Sequence, residues 1–171
     1  MKKTSFLFSA ITILLTCFSM ALTAKPASAE TFSFLGTSGG PGGNYFSDNQ
    51  TGGLRVVEVR VRSGVYIDAV QFVYENKIGQ VITGKLHGGQ GGNLDVFKLQ
   101  PGETITRVTG KHGNYIDSMQ LVTSKGRSKG WGGAGGSVHY TYSAPPGSHI
   151  HGLFGRSGVY VDALGVILST P

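Results

Sequence analysis

Three copies of a paired motif constrain this chain more than any other feature of its sequence. The first member is a five-residue cluster with four glycines, and the second is a Gly-x-Tyr-aliphatic-Asp segment. In each copy the second member begins 25 or 26 residues after the first glycine of the cluster. Repetition at a fixed spacing indicates three similar units of about 45 residues each. The clusters are Gly39-Gly40-Pro41-Gly42-Gly43, Gly88-Gly89-Gln90-Gly91-Gly92 and Gly132-Gly133-Ala134-Gly135-Gly136, and their partner motifs are Gly64-Val65-Tyr66-Ile67-Asp68, Gly113-Asn114-Tyr115-Ile116-Asp117 and Gly158-Val159-Tyr160-Val161-Asp162.

Apolar residues at every second position dominate the segments around the motifs. Val57-Glu58-Val59-Arg60-Val61-Arg62 shows the alternation most clearly, and such alternation is typical of strands that bury one face. After residue 29, no window of helical length carries a helical apolar period. The sequence therefore predicts an all-β domain in which each tyrosine–aspartate motif lies in a hairpin loop between two strands. Further apolar residues recur at matching places in the three units: Val59, Val108, Leu153, Val70, Phe72, Met119, Leu121, Leu164 and Val166.

Residues 1–29 predict a signal peptide that is not part of the fold. Two lysines precede an apolar stretch from about Phe6 to Leu22, and Ala27-Ser28-Ala29 supplies the small residues of a cleavage site. We therefore expect residues 30–171 to form one secreted domain, extracellular or periplasmic, with no transmembrane anchor. The alternatives are an uncleaved apolar anchor and a lipid anchor on Cys17. Because Cys17 is the only cysteine, the expected mature domain forms no disulfide.

Charge and the number of acids argue against two classes of function. The formal net charge of +6 falls to +3 over residues 30–171, because Lys2, Lys3 and Lys25 leave with the signal peptide. A charge of that size favours solubility and does not indicate a nucleic-acid partner. A glycosidase needs two carboxylates facing one scissile bond, whereas each repeated motif carries a single aspartate. The sequence thus predicts a protein without enzymatic activity and without a cofactor.

His149 and His151 alternate along a predicted strand and therefore point to the same side of it. Two imidazoles begin a metal site, but the sequence shows no carboxylate or cysteine near them to act as a third ligand. We therefore predict no metal site.

The paired motifs resemble those of the jacalin-related lectins, and among these the mannose-binding, griffithsin-like kind with three sites. The resemblance extends from Thr31 to about Leu168. It implies the β-prism I fold, with three four-stranded antiparallel sheets and internal pseudo-threefold symmetry. It also implies that each aspartate faces the glycine cluster of another unit. The implied pairs are Asp68 with Gly88–Gly92, Asp117 with Gly132–Gly136, and Asp162 with Gly39–Gly43.

The same resemblance implies a carbohydrate-binding protein for mannose- or glucose-containing glycans on glycoproteins or cell surfaces. In this interpretation each aspartate accepts hydrogen bonds from sugar hydroxyls, backbone N–H groups donate to sugar oxygens, and the tyrosine rings form an apolar wall against the sugar. The alternative is a scaffold or adhesion subunit that uses the same fold without binding sugar, and a homodimer is an open arrangement. The implied sugar-binding residues are Gly39, Gly40, Gly42, Gly43, Gly64, Tyr66, Ile67, Asp68, Gly88, Gly89, Gly91, Gly92, Gly113, Asn114, Tyr115, Ile116, Asp117, Gly132, Gly133, Gly135, Gly136, Gly158, Val159, Tyr160, Val161 and Asp162.

Three substitutions make the implied sites unequal. Asn114 stands where the other two motifs have valine, and His112 stands where they are preceded by serine. The Asp117 site is therefore expected to differ in its sugar preference, and in its pH dependence if His112 contacts the ligand. Pro41 removes one N–H donor from the first cluster, which leaves the Asp162 site with one donor fewer.

Overall fold

Short loops connect a succession of β-strands along this chain. In residues 29–48 and 51–171, which the computed structural model describes, there are thirteen strands and no helix. No helix that could cross a membrane therefore occurs in these ranges. The expected signal peptide lies outside them, apart from Ala29. The strands are β1 (Thr31–Gly39), β2 (Asn44–Ser47), β3 (Leu54–Ser63), β4 (Ile67–Asn76), β5 (Val81–Thr83), β6 (His87–Gly88), β7 (Asn93–Lys98), β8 (Ile105–His112), β9 (Ile116–Thr123), β10 (Ser128–Gly132), β11 (Val138–Ser143), β12 (His149–Ser157) and β13 (Val161–Thr170).

The strands pair antiparallel, and this confirms the predicted all-β class. Their hydrogen bonds form two sheets, whereas the resemblance to the jacalin-related lectins implied three. One sheet has eight strands in the order β1-β13-β12-β8-β9-β10, with β11 on β8 and β2 on β12. The other has five, in the order β5-β4-β3-β7, with β6 on β4. The number differs because a single residue pair, Ile150 with Ile105, joins β12 to β8 and merges two sets of strands into one sheet.

One strand arrangement occurs three times within these sheets. The middle of each set is a long hairpin, formed by β3–β4, β8–β9 or β12–β13. Edge strands flank the hairpin on both sides: β6 and β7, β10 and β11, or β1 and β2. A glycine cluster connects the two edge strands of each set, so it must cross the tip of the middle hairpin. The topology therefore brings every cluster to one tyrosine–aspartate loop.

The core includes the apolar residues that the sequence analysis found at matching places in the three units. Val59, Val108 and Leu153 have no exposed surface and occupy the same place in the three middle hairpins. Burial of one aliphatic side chain of this size contributes about 1.5–3 kcal/mol. The six apolar residues that follow the aspartates are at most 1% exposed, and they are Val70, Phe72, Met119, Leu121, Leu164 and Val166.

The predicted alternation is wrong at Val57. A β-bulge between Val56 and Glu58 shifts the register of β3 against β4. As a result Val56 is buried, while Val57 is only partly buried. A bulge inserts one extra residue into one strand, so the side chains on either side of it exchange faces. From Val59 onward the expected alternation holds.

A buried carboxyl–imidazole pair connects separate parts of the chain. Oδ1 of Asp48, just after β2, accepts a hydrogen bond from Nε2 of His87 in β6 (2.8 Å), and both side chains are buried. Oδ2 of Asp48 accepts the backbone N–H of Leu153 in β12 (2.8 Å). The ring of Phe46 stacks on His87 with the centroids 4.1 Å apart. Asp48 thus satisfies two buried donors from two different strand sets.

Replacement of Asp48 by alanine is expected to lower the free energy of unfolding by about 3–5 kcal/mol, because it leaves the His87 and Leu153 donors buried without an acceptor. Urea denaturation measures the change. Arg55→Ala is the control, since it removes an exposed ion pair with Glu75 and should cost at most about 1 kcal/mol. Similar losses for the two variants would contradict the importance of the buried pair.

Candidate functional site at the loop end

Three tyrosine–aspartate loops meet at one end of the molecule. The rings of Tyr66, Tyr115 and Tyr160 contact one another, with centroids 5.1–5.3 Å apart and tilted or edge-to-face planes. Aromatic pairs in such geometry contribute about 0.5–1.5 kcal/mol each beyond the area they bury. The tyrosines therefore hold the three loops together. The resemblance implied only that the tyrosine rings form a wall against the sugar, and the sequence gave no sign of this mutual contact.

Each aspartate carboxyl lies directly against the glycine cluster that the sequence resemblance paired with it. A Cβ atom placed on Gly91 would be 2.2 Å from Oδ1 of Asp68, and one on Gly42 would be 2.2 Å from Oδ1 of Asp162. The equivalent distance from Gly135 to Oδ1 of Asp117 is 2.3 Å. Because a side chain at these positions would have to displace the carboxyl, glycine allows the cluster to lie directly against the aspartate. The predicted pairing of loops is confirmed in all three cases.

Backbone contacts fix each cluster over its hairpin. The N–H groups of Gly40, Gly89 and Gly133 donate to the backbone carbonyls of Asp162, Asp68 and Asp117, respectively, each at 2.9 Å. The first and last glycines of each cluster have positive φ, for example 120° at Gly88 and 59° at Gly92. L-residues rarely adopt such angles, so the path of the loop over the hairpin tip depends on glycine at both ends.

Every cluster also contacts a second tyrosine–aspartate loop, which belongs to a different strand set. The second glycine of the middle cluster, Gly89, packs against the backbone carbonyl of Val159, which a Cβ on the glycine would approach to 2.4 Å. Gly133 meets the carbonyl of Val65 in the same way, and Gly40 meets that of Asn114. Each site is therefore built from one aspartate loop and one cluster, with a second aspartate loop behind the cluster. The three sites form a closed ring of contacts.

Two arginines each donate hydrogen bonds to the glycine cluster that crosses the tip of the arginine's own hairpin; we call this arrangement an arginine clamp. Arg62 donates through Nε to the carbonyl of Gly91 (2.7 Å) and through a terminal nitrogen to that of Gly92 (3.0 Å). Arg156 makes the same pair of hydrogen bonds to Gly42 and Gly43, at 2.8 and 2.7 Å. Lys111 holds the equivalent position in the remaining unit, and an ammonium group lacks the planar fork needed to bind two carbonyls in this way. Sequence reasoning did not assign these residues to the site, although a base recurs two residues before each motif glycine.

The three carboxyls are nearly buried although they lie at a loop end. Asp68, Asp117 and Asp162 are only 5–6% exposed. Oδ2 of Asp117 accepts the N–H of Gly113 (2.8 Å). Oδ2 of Asp162 is buried and accepts no hydrogen bond of ordinary geometry from the described residues. Burial raises the pKa of the Asp162 carboxyl, and the nearby Gly158 N–H and Arg156 guanidinium only partly oppose this effect.

The Asp117 loop differs from the others as the sequence indicated. Nδ1 of His112 donates to the carbonyl of Gly113 (3.0 Å), inside the loop that carries the motif. The ring of His112 also lies 6.2 Å from that of Tyr140. Asn114 is exposed at the loop tip, where the other loops present Val65 and Val159, which are 67% and 71% exposed. The rim of this site is therefore polar where the other two are apolar.

In each site a nearly buried carboxyl acceptor lies beside a glycine loop whose backbone is not covered by side chains. Such a site is suited to a ligand with many hydroxyl groups, because a hydroxyl both donates and accepts hydrogen bonds. Comparison with known proteins agrees with that chemistry. Residues 35–167 match the jacalin-like lectin domain family, and the chain belongs to that family of carbohydrate-binding lectins.

Relatives and solved structures of this family match most of the chain. Horcolin from barley, Hordeum vulgare, is 31% identical over 141 residues, which cover 79% of this chain and 95% of horcolin. Human zymogen granule membrane protein 16 is 34% identical over 141 residues, and the match covers 81% of each of the two chains. A lectin from Malaysian banana superposes with a TM-score of 0.72 at 29% identity, over 82% of this chain and all of the banana chain. A mannose-binding jacalin-related lectin from Ananas comosus gives 0.69 at 27% identity, over 82% and 98% of the two chains.

Replacement of Asp162 by asparagine is expected to increase the free energy of unfolding at neutral pH. Because the folded-state pKa of Asp162 is raised, the unfolded chain ionises at lower pH than the folded one. The native protein therefore loses stability as pH rises from the ordinary aspartate range through the raised pKa, and asparagine removes that loss.

Denaturation series at neutral pH and near pH 3 measure this effect. The difference between Asp162→Asn and the native chain should be larger at neutral pH and should shrink in acid. A variant that is less stable at neutral pH and equal in acid would contradict the raised pKa.

Proposed function

We propose that this protein is a secreted, non-enzymatic lectin that binds mannose- or glucose-type glycans through three sites, centred on Asp68, Asp117 and Asp162. The observation that carries the proposal is the threefold occurrence of one arrangement, in which a nearly buried aspartate lies against a glycine loop at the same end of the molecule. Turns alone would not require the same aspartate at all three places. A single aspartate in each site also suits binding better than hydrolysis, which uses two carboxylates.

In each site the carboxylate accepts hydrogen bonds from two adjacent sugar hydroxyls, and exposed backbone N–H groups of the two loops donate to sugar oxygens. A hydrogen bond to a charged group contributes about 1.5–3 kcal/mol, so one shallow site binds a monosaccharide weakly. Branched glycans that reach two or three sites at once gain affinity from multivalency. The common placement of the loops around the three tyrosines favours such simultaneous binding.

Two observations support mannose or glucose over galactose. In the jacalin-related lectins, galactose binding depends on a cleaved chain that frees an amino terminus beside the site, and here the first cluster, Gly39–Gly43, follows Thr31–Ser38 without interruption. The related lectin from Ananas comosus is described as mannose-binding, as is one from champedak that superposes with a TM-score of 0.70 at 25% identity.

The proposal includes the β-prism arrangement. The three strand sets would surround a pseudo-threefold axis, with the tyrosine cluster at one end of that axis. The equivalent pairing orders within the sets support this arrangement. So does the single bridge between β12 and β8, because it is too small to make one flat sheet of two sets.

Isothermal titration with methyl α-mannoside is expected to show about three equivalents for the native protein, one for each aspartate. Each Asp→Asn replacement at position 68, 117 or 162 removes a charged acceptor and should remove about one equivalent. The triple variant should stay folded and bind none, and methyl galactoside should bind more weakly throughout. A folded single variant that loses all binding would refute the three-site proposal, and no binding of any sugar by the native protein would favour a scaffold.

The arginine clamps are expected to make their sites stronger than the Asp117 site. In a background with only the Asp68 site intact, Arg62→Lys removes one hydrogen bond to the cluster, so the affinity for the mannoside should fall by up to about tenfold. In a background with only the Asp117 site, Lys111→Arg should raise the affinity. Titrations of the four proteins measure both changes. Unchanged affinity in both pairs would show that the clamp does not contribute to binding.

A further inference from the structure

Three side chains with metal-ligating atoms meet at the opposite end of the strands from the aspartate loops. They are Glu30, just before β1, and His149 and His151 in β12. One ligand atom from each lies within 4.8 Å of the others. The sequence prediction that no carboxylate accompanies the two histidines is therefore wrong. Glu30 is far from them along the chain and comes close because β1 pairs with β13, which in turn pairs with β12.

A β-bulge places the two histidines. His149 pairs with Ser169 of β13, while the register between β12 and β13 skips His151 between Ile150 and Gly152. The ring of His151 is fully buried and packs edge-on against Phe32, with centroids 5.1 Å apart. The half-buried ring of His149 is 6.3 Å from that of His151. One imidazole is thus fixed in the protein interior, and the other lies at its surface.

The carboxyl of Glu30 is held in place by groups that would leave it able to bind a cation. Its Oε2 accepts the backbone N–H of Gly53 (2.6 Å), and its Oε1 accepts the hydroxyl of Ser169. Ser169 is itself buried, opposite His149. Outer partners of this kind orient metal-binding carboxylates in proteins. The hydrogen bonds therefore keep the Glu30 carboxyl near the two imidazoles, within a small movement of a coordinating position.

We propose that Glu30, His149 and His151 form a binding site for a divalent transition-metal ion, with Zn²⁺ as the preferred ion. Two imidazole nitrogens and one carboxylate oxygen are a ligand set that zinc uses at about 2.0–2.2 Å. In a tetrahedral site the ligand atoms lie about 3.3 Å apart, so the partly exposed His149 and Glu30 side chains must close in by about 1–1.5 Å. Three protein ligands leave the fourth position to water or to an external ligand.

The metal site is separate from the proposed sugar sites. β12 begins at His149 and ends at Ser157, beside the Asp162 loop. At about 3.3 Å per residue the strand separates the two by roughly 26 Å. Metal binding would link the segment before β1 to β12 and so stabilise the packing of the two ends of the domain against each other. The proposal does not depend on sugar binding, and the two are tested by different readouts.

Titration of the purified, untagged protein with Zn²⁺ tests the proposal. The expected result is one equivalent of zinc, a rise in Tm with zinc, and a visible absorption spectrum typical of tetrahedral coordination when Co²⁺ replaces zinc. His149→Ala and Glu30→Gln should each lower the affinity at least tenfold and abolish the rise in Tm. Ser169→Ala, which releases the Glu30 carboxyl, should lower the affinity by about 10–100-fold.

His139→Ala is the matched control, because His139 is exposed and lies in β11, away from the cluster. It should bind zinc like the native protein. Circular dichroism shows whether each variant is folded, and the decisive variants avoid the fully buried His151 for that reason. Absence of stoichiometric zinc binding by the native protein would overturn the proposal. So would zinc binding that survives in folded His149→Ala and Glu30→Gln.

Discussion

The close approach of three aspartate carboxyls to glycine-rich loops is the contact on which the rest of this structure depends. Each loop must cross the tip of a hairpin to connect two edge strands, and a Cβ atom at Gly42, Gly91 or Gly135 would collide with the carboxyl beneath it. Because the loop can come so close, the edge strands reach both sides of the hairpin and complete the set. The same closeness leaves the three carboxyls nearly buried.

Much of this arrangement follows from the sequence because it depends on local and repeated features. Alternating apolar residues identified Val59, Val108 and Leu153 as core. The resemblance to the jacalin-related lectins, and not the repeat spacing, related each aspartate to the cluster that it faces. The bulge at Val57 was missed because Val56 and Val57 are both apolar, so the sequence does not show which of them faces the core. The joining of two strand sets into one hydrogen-bonded sheet was not predicted, because it depends on one residue pair, Ile150 with Ile105, that no motif marks.

Contacts between distant residues account for what the sequence did not show at the sites. The tyrosines recur in the motif, but their mutual packing appears only once three loops converge. The recurring base before each motif was visible, yet the difference between an arginine and a lysine there depends on the two carbonyls it faces. Glu30 and Ser169, which are hydrogen-bonded, are 139 residues apart. Residues so far apart in the chain share no local sequence pattern that could place them together.

The pairing of β1 with β13 gives the chain a particular order of assembly. Thr31 lies opposite Thr170, so β1 can pair with β13 only after the end of the chain has been synthesised. The sets around β3–β4 and β8–β9 draw on nearby segments and can form early, whereas the set around β12–β13 must wait for both termini. Closing so long a loop is slow relative to local pairing. Pairing of the first and last strands therefore completes the domain. A chain that lacks either strand keeps an unpaired sheet edge, and such edges promote aggregation.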